Sequence, residues 1–156
     1  MLPNHSTPAE EVIRLTVDKF TFLIPRDIYY CEADLWIRLE GDNARLGLSD
    51  FAQQRNGDIA FAEIKPVGTV LGFGDEIGSI ETVKVNVSLP SPIRGTVVDV
   101  NPHLQEAAEV INQDPYGKGW LALVALTSWQ KDRAALLHAD AYLALVKEKA
   151  EAEMKK

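Results

Sequence analysis

The sequence predicts a mainly β fold, a sandwich or barrel rather than an α/β arrangement. Three observations carry this. Short runs of alternating or β-branched apolar residues recur along the middle of the chain. Gly and Pro fall between those runs, where tight turns need them. A helical period appears only from about Gln130 onward, so the strands are not separated by crossover helices.

Taken in order, Thr7-Pro8-Ala9-Glu10 reads as a helix start, with Thr7 as cap, Pro8 at the first helical position and Glu10 closing a capping box. Val12, Ile13 and Leu15 would then give that helix a short apolar face. Phe20 to Ile24 reads as a strand stopped by Pro25. Leu35–Leu39 and Ala44–Leu48 flank Glu40-Gly41-Asp42-Asn43, the pattern of a hairpin. Ser49 caps one or two helical turns that end at Gly57. Further strands are expected at Ile59–Ile64, Glu76–Val83, Val85–Leu89, Gly95–Val100 and Trp120–Leu126, with a short helix at Pro102–Val110. Beyond Gln130, the residues Ala134, Leu137, Tyr142, Leu145 and Val146 share a helical face, which His138-Ala139-Asp140 divides into two helices. The charged tail Lys147–Lys156 is expected to fray. The expected organisation is therefore an N-terminal extension over 1–27 with a short helix, a β-sandwich over 28–128, and C-terminal helices over 129–156 packed on the same domain.

Composition bounds the function. The chain has 156 residues, 46% apolar and 25% charged, enough for one domain with a core of its own. A net charge of −7 argues against nucleic acid as a partner and suits docking on basic patches of larger proteins. Cys31 is the single cysteine, so no internal disulfide forms; it is read as a small buried apolar group rather than a reactive thiol. No apolar run spans a bilayer and the N-terminus lacks the regions of a signal peptide, so no membrane partner and a cytoplasmic location are expected. His5, His103 and His138 lie far apart with no ligand-spaced neighbours, so no metal site is expected. Neither a Ser-His-Asp set, a P-loop nor a dinucleotide fingerprint is present.

Lys84 is the candidate functional residue. It sits between Glu81-Thr82-Val83 and Val85-Asn86-Val87, two short β-branched runs, at the expected tip of a hairpin. There its amine projects into water, within reach of a modifying enzyme. Position alone leaves the ordinary reading open, a solvated turn lysine.

The surrounding residues resolve this through a resemblance. Gly78, Glu81, Val83, Lys84, Ser91, Pro92 and Gly95, with Thr82 in place of a serine, match the lipoyl-attachment segment of the glycine cleavage system H protein family. Asn112-Gln113-Asp114-Pro115-Tyr116-Gly117-Lys118-Gly119-Trp120 is similar to a second signature of that family, and Gly47-Leu48-Ser49-Asp50-Phe51-Ala52-Gln53 to a third. The resemblance spans about residues 29 to 147. It implies a lipoyl/biotinyl-type hammerhead β-sandwich, lipoate joined covalently to Lys84, and a non-catalytic carrier whose chemistry belongs to the cofactor. Val83 and Val85 stand where biotinyl carriers place methionines, which favours lipoate. Val83 also departs from the Asp of oxo-acid dehydrogenase lipoyl domains. Glu81 is expected to help the attaching enzyme read the hairpin, or else to be a plain solvated strand residue. Gly117 and Gly119 are read as structural, with Tyr116 and Trp120 in or near the core.

Departures from the family pattern bear on cargo. Asp34 and Leu35 stand at the family's His-Glu, before the shared Trp36; Ser88 replaces an acid and Arg94 adds a cation. Placed around the arm, these changes suggest a different cargo. The resulting expectation is the H-like branch that carries lipoate in sulfur oxidation, with a heterodisulfide-reductase-like complex and sulfurtransferases as partners. A dithiol suits sulfane sulfur, and Arg94 would favour anionic sulfur species. The alternative is a true glycine cleavage H protein serving glycine decarboxylase, aminomethyltransferase and dihydrolipoyl dehydrogenase. Either requires a lipoate ligase or the lipoyl synthesis enzymes. A second class also stands: an unmodified interaction or storage protein that keeps the fold.

Overall fold

The computed structural model describes residues 11–155. Two sheets face each other across the main core. One has six strands in the order β3-β4-β5-β11-β10-β7: β3 (Tyr29–Tyr30), β4 (Leu35–Glu40), β5 (Asn43–Leu48), β11 (Ala122–Leu126), β10 (Gly95–Val100) and β7 (Val70–Leu71). The other has three, in the order β6-β8-β9: β6 (Ile59–Ile64), β8 (Glu76–Thr82) and β9 (Asn86–Pro90). Every described pairing is antiparallel. The expected mainly β sandwich is thus observed.

Sequence alternation builds the core directly. Leu35, Ile37, Leu46, Val97 and Val124 come from the larger sheet, and Ile59, Ile77, Ile80 and Leu89 from the smaller; all are buried. Leu104, Ala108 and Ile111 extend the same core from a 3-10 turn (Pro102–Gln105) and a single helical turn α2 (Val110–Gln113). The one helix expected over Pro102–Val110 is therefore split, and its C-terminal part lies later than the sequence suggested. Helix α1 (Asp50–Asn56) starts as expected at Ser49, whose hydroxyl accepts from Ala52 N–H, and stops at Gly57, where φ is 83°.

A second core lies outside the two sheets. Strands β1 (Val12–Val17) and β2 (Phe20–Pro25) form a separate two-stranded ladder. Phe22 and Ile24 from β2 pack with Phe51 of α1 and with Tyr142, Val146 and Ala150 of the C-terminal helix α4 (Ala139–Met154). This corrects the leader: Val12 to Leu15 form a strand, not the face of a helix, because the apolar residues of 12–25 are shared between two paired strands instead of one helical stripe. The helix start at Thr7 lies outside the described residues. The C-terminal segment breaks as expected, after α3 (Trp129–Asp132), with His138 as the residue before α4. The expected fraying at Lys147 does not occur. Val146 and Ala150 are buried, Lys149 bonds Asp34, and Glu153 pairs with Arg55 at 2.6 Å, so the tail is held as far as Glu153.

Asp34 ties the two cores together. It is 5% exposed and sits at φ 67°, a conformation that aspartate tolerates better than most residues. Its carboxylate accepts from Tyr142 Oη at 2.9 Å and Lys149 Nζ at 3.0 Å, with Arg55 at 3.7 Å. With the Tyr142 proton committed to Asp34, Ser49 Oγ is the donor in the 2.6 Å Ser49–Tyr142 contact. Asp34→Ala removes two charge-assisted bonds from a buried site and leaves an unsuited residue at positive φ. It should lower unfolding free energy by about 3 kcal/mol, and Asp34→Asn by about 1.5 kcal/mol, as read by urea denaturation.

Candidate functional site

The site is the tip of the β8–β9 hairpin. Register runs Ile80↔Val87 and Glu81↔Asn86, which leaves Thr82 to Val85 as the connection. Two irregularities shape it. A shift between Glu76 and Gly78 lets both Ile77 and Ile80 turn inward, and a shift between Ile59 and Phe61 bulges β6 opposite Glu81 and Thr82. Such bulges bend a ribbon and re-aim its end.

Lys84 stands in water at the tip. Val83 beside it is 95% exposed and Val85 44% exposed, so two apolar side chains flank the amine without a protein surface to cover them. Glu81 is also exposed and lines an open cleft of about 890 Å³ with Phe61, Ile64, Val100, Pro102 and Leu104. The structure thus places Val83, Lys84 and Val85 on one projecting turn, with Glu81 in the strand just before it.

Thr82 is the residue whose importance the sequence understated. It is buried, and its hydroxyl accepts from Lys84 N–H at 3.2 Å and Val85 N–H at 3.1 Å. Its own N–H donates to Val85 O at 2.9 Å. One side chain therefore closes the turn that carries the lysine. The signal was present, since Thr82 keeps a hydroxyl where a family serine stands, but the geometry that uses it is local and three-dimensional. Asn112 was likewise read only as part of a motif. Its Oδ1 accepts from Ile59 N–H at 2.9 Å and its Nδ2 donates to Gln53 and Gly57, fixing the start of the strand that pairs with Thr82.

The second motif is structural, as read. Pro115 O accepts from the Trp36 indole at 2.8 Å, and Tyr116 O accepts from Arg38. Tyr116 Oη donates to Leu23 O and accepts from Asp50 N–H. A Cβ on Gly119 would lie 2.7 Å from Ile111 Cα, so only glycine permits that approach. The Asp114 carboxylate accepts from Lys118 N–H within its own loop. Cys31 is buried, and burial pushes its thiol pKa up, in line with an apolar packing role.

The four departures do not form an arm-side cluster. Asp34 and Leu35, expected around the arm, are 5% and 0% exposed and belong to the fold's interior. Their replacement of a polar pair is answered inside the protein by Tyr142, Ser49 and Lys149. Ser88 donates to Glu76 at 2.7 Å, a bond that draws the Glu76 pKa down. Arg94 is engaged by Asp132, through its guanidinium Nη1 and its backbone N–H, beyond the end of the hairpin opposite Lys84. The seven residues of β8 separate those ends by about 20 Å.

No group of three or more His, Cys, Asp or Glu is placed to hold a metal among the described residues, and none of the described helices is long and apolar enough to cross a membrane.

Comparison with known proteins places this geometry. The family model for the glycine cleavage H-protein matches residues 28–149. The chain belongs to the glycine cleavage H-protein family. It is 42% identical over 118 residues to the glycine cleavage system H protein of Salinibacter ruber, covering 76% of this chain and 94% of that one. It is 44% identical over 104 residues to that of Rubrobacter xylanophilus, covering 67% and 82%. A crystal structure of a glycine cleavage system H protein from Mycobacterium marinum superposes with a TM-score of 0.68 at 31% identity, covering 78% of this chain and 97% of that chain. Members carry lipoate covalently on a lysine and are carrier subunits without catalysis of their own, and this chain is a lipoyl carrier of that kind.

The turn makes a prediction that is independent of the cofactor. Thr82→Val removes the acceptor shared by two backbone amides, each bond being worth about 1 kcal/mol net. Amide exchange at Lys84 and Val85 should accelerate by about ten-fold, while Thr82→Ser stays near wild type. Hydrogen exchange read by NMR checks both.

Proposed function

We propose that Lys84 is the lipoate-bearing lysine and that the protein serves glycine cleavage, docking in turn on glycine decarboxylase, aminomethyltransferase and dihydrolipoyl dehydrogenase. The observation that carries the reading is a primary amine exposed on a turn closed by Thr82, at the lysine of the attachment motif. These residues fit the group: an amide needs a free amine, and the lipoyl chain is apolar, as are its neighbours Val83 and Val85. When attached, lipoate supplies a disulfide that opens to two thiols able to hold a substrate on sulfur and to carry electrons.

The chain's own residues do the rest. Thr82 fixes the backbone at the root of the arm, so the lysine side chain supplies the motion. Glu81 offers a carboxylate three residues before the lysine, in water, where a lipoate-attaching enzyme reads the hairpin. The single buried thiol, Cys31, suits a reducing cytoplasm.

The sulfur-oxidation reading rested on Asp34, Leu35, Ser88 and Arg94 as arm-side changes. Buried or engaged elsewhere, they supply no chemistry there, and nothing else favours heterodisulfide-reductase-like partners. The names of the relatives favour glycine cleavage.

Two measurements test this. Lys84→Arg keeps the charge and removes the acylable amine, so it should fold normally and gain no lipoyl mass when expressed with a lipoate ligase. A lipoyl mass on that variant overturns the site. Wild-type lipoylated protein, given glycine decarboxylase and aminomethyltransferase, should support carbon dioxide exchange from glycine. Absent exchange together with sulfur loading from a sulfurtransferase, seen by intact mass, would restore sulfur oxidation.

A further inference from the structure

Strand β6 does not alternate evenly. Ile59 is buried opposite Thr82, and strict alternation would turn Phe61 inward with it. One extra residue between them reverses the parity. Ala62 and Ile64 then pack against the core, while Phe61 and Glu63 face water. Phe61 is 66% exposed and stands directly opposite Glu81 on β8. A backbone irregularity thus holds an aromatic ring outward, on the strand beside the lysine turn.

The ring lies on a mixed surface. Val83 and Val85 are exposed at the tip, and the open cleft past Phe61 is walled by Val100, Pro102 and Leu104. Glu63 and Glu81 share the outer face of the sheet with Phe61, and as diagonal neighbours they sit about 7–8 Å apart at the backbone. Neither has an ion pair or hydrogen bond among the described residues. Glu76, nearer the base of the hairpin, is by contrast held by Lys65 at 3.3 Å and by Ser88. Unneutralised negative charge therefore gathers beside Phe61.

We propose that the enzyme that attaches lipoate docks on this face, laying a basic side chain with an apolar stem against Phe61, between the carboxylates of Glu63 and Glu81. The inference rests on the reading of Lys84 as the attachment site. Geometry selects the occupant. A specific contact covers about 800 Å² per partner, a disc about 16 Å in radius. Phe61 lies at most about 11 Å from Lys84, three residues along β8 and one strand across. An enzyme that acylates the amine must reach the end of the lysine side chain, so its footprint covers the root of the turn and Phe61 with it. The amide forms there as the phosphate leaving group of activated lipoate departs and the amine loses a proton. Enzymes that act on the dithiolane meet the arm a full lipoyl chain farther out and can leave Phe61 in water. The chemistry of the surface fits the same occupant: a cation gains from the aromatic face and from two waiting carboxylates, and an aromatic anchor with opposite charges beside it is the usual centre of a contact.

Attachment kinetics test this, with a lipoate ligase, lipoate, ATP and the full-length chain as the varied substrate. Phe61→Ala should raise KM for the chain about ten-fold with kcat little changed, and Phe61→Tyr, which keeps the ring, should stay near wild type. Glu63→Lys should raise KM about three-fold or more and flatten its dependence on salt. Both residues are exposed, so circular dichroism should not change. Acetylation of Lys84 by acetic anhydride, a small reagent that needs no docking, should proceed at the wild-type rate in every variant. Phe61→Ala lipoylated by long incubation should be turned over by dihydrolipoyl dehydrogenase as wild type is. Wild-type KM in both Phe61→Ala and Glu63→Lys, or slowed acetylation that traces the effect to the turn itself, overturns the proposal. So does a defect that appears with the dehydrogenase and not with the ligase. A wild-type chain that gains no lipoyl mass would instead overturn the reading of Lys84, and this inference with it.

Discussion

A carrier lysine must swing while its root stays still, and the rest of the structure answers to that constraint. The β8–β9 hairpin is held at its base and middle by Ile77, Ile80 and Leu89, all buried in the main core. Burying three such side chains contributes about 5 kcal/mol or more by area, far above what an isolated two-stranded ribbon musters. Beyond Thr82 the core ends, and Val83, Lys84 and Val85 are left to solvent. Apolar anchoring thus stops at Ile80, four residues before the lysine, and the Thr82 hydroxyl takes over the last step of ordering. The division follows from chemistry: an apolar residue at position 82 would pack but leave the turn amides unpaired, whereas threonine does both.

The second core explains how the leader and the C-terminal helix stay attached to a sandwich that is already closed. Tyr30 and Tyr142 stack at 4.3 Å between ring centroids, and Tyr142 reaches Asp34 and Ser49, while Tyr116 bridges β2 and α1. Trp36 of β4 is fully buried and packs there too, against Gly47, where any Cβ would strike the indole. The family motifs around Gly47 and Tyr116 therefore describe one joint. They meet across the strand pair β4–β5, the Trp36 indole and the loop before β11, far apart in sequence but adjacent in space.

Most of the sandwich was legible because it obeys short-range rules. The hairpin across Gly41-Asp42, the cap at Ser49, the stop at Gly57 and the break at His138 each follow from a residue doing what its own backbone requires. The exposed turn at Lys84 was singled out for another reason, since its neighbours form a pattern. What failed was long-range. Val12 to Leu15 carry apolar residues at spacings compatible with helix or strand, and only the pairing with Phe20–Pro25 decides. Asp34 and Leu35 looked like surface changes because the sequence gives no sign that Tyr142 and Lys149, more than a hundred residues later, stand waiting for a carboxylate. Sequence distance hides such partners, and a polar substitution read without them is easily assigned to the wrong side of the protein.

The placement of perturbed groups shows the same division of labour. Burial raises the pKa values of Tyr30, Tyr116, Tyr142 and Cys31. In an enzyme, such a cluster would point toward a reacting centre. Here the three tyrosines are hydrogen-bonded to backbone or to fixed carboxyl and hydroxyl groups, and among the described residues no buried side-chain polar atom lacks a partner. Their shifts report desolvation in a structural joint, with every proton already assigned. The Lys84 amine, the proposed attachment point, lies outside it on an exposed turn. A carrier has no need to tune a side chain toward reaction, because its partners and its cofactor do that. Its own physical task is to keep one turn ordered and one side chain free, and the residues that accomplish this are a threonine and three buried aliphatics.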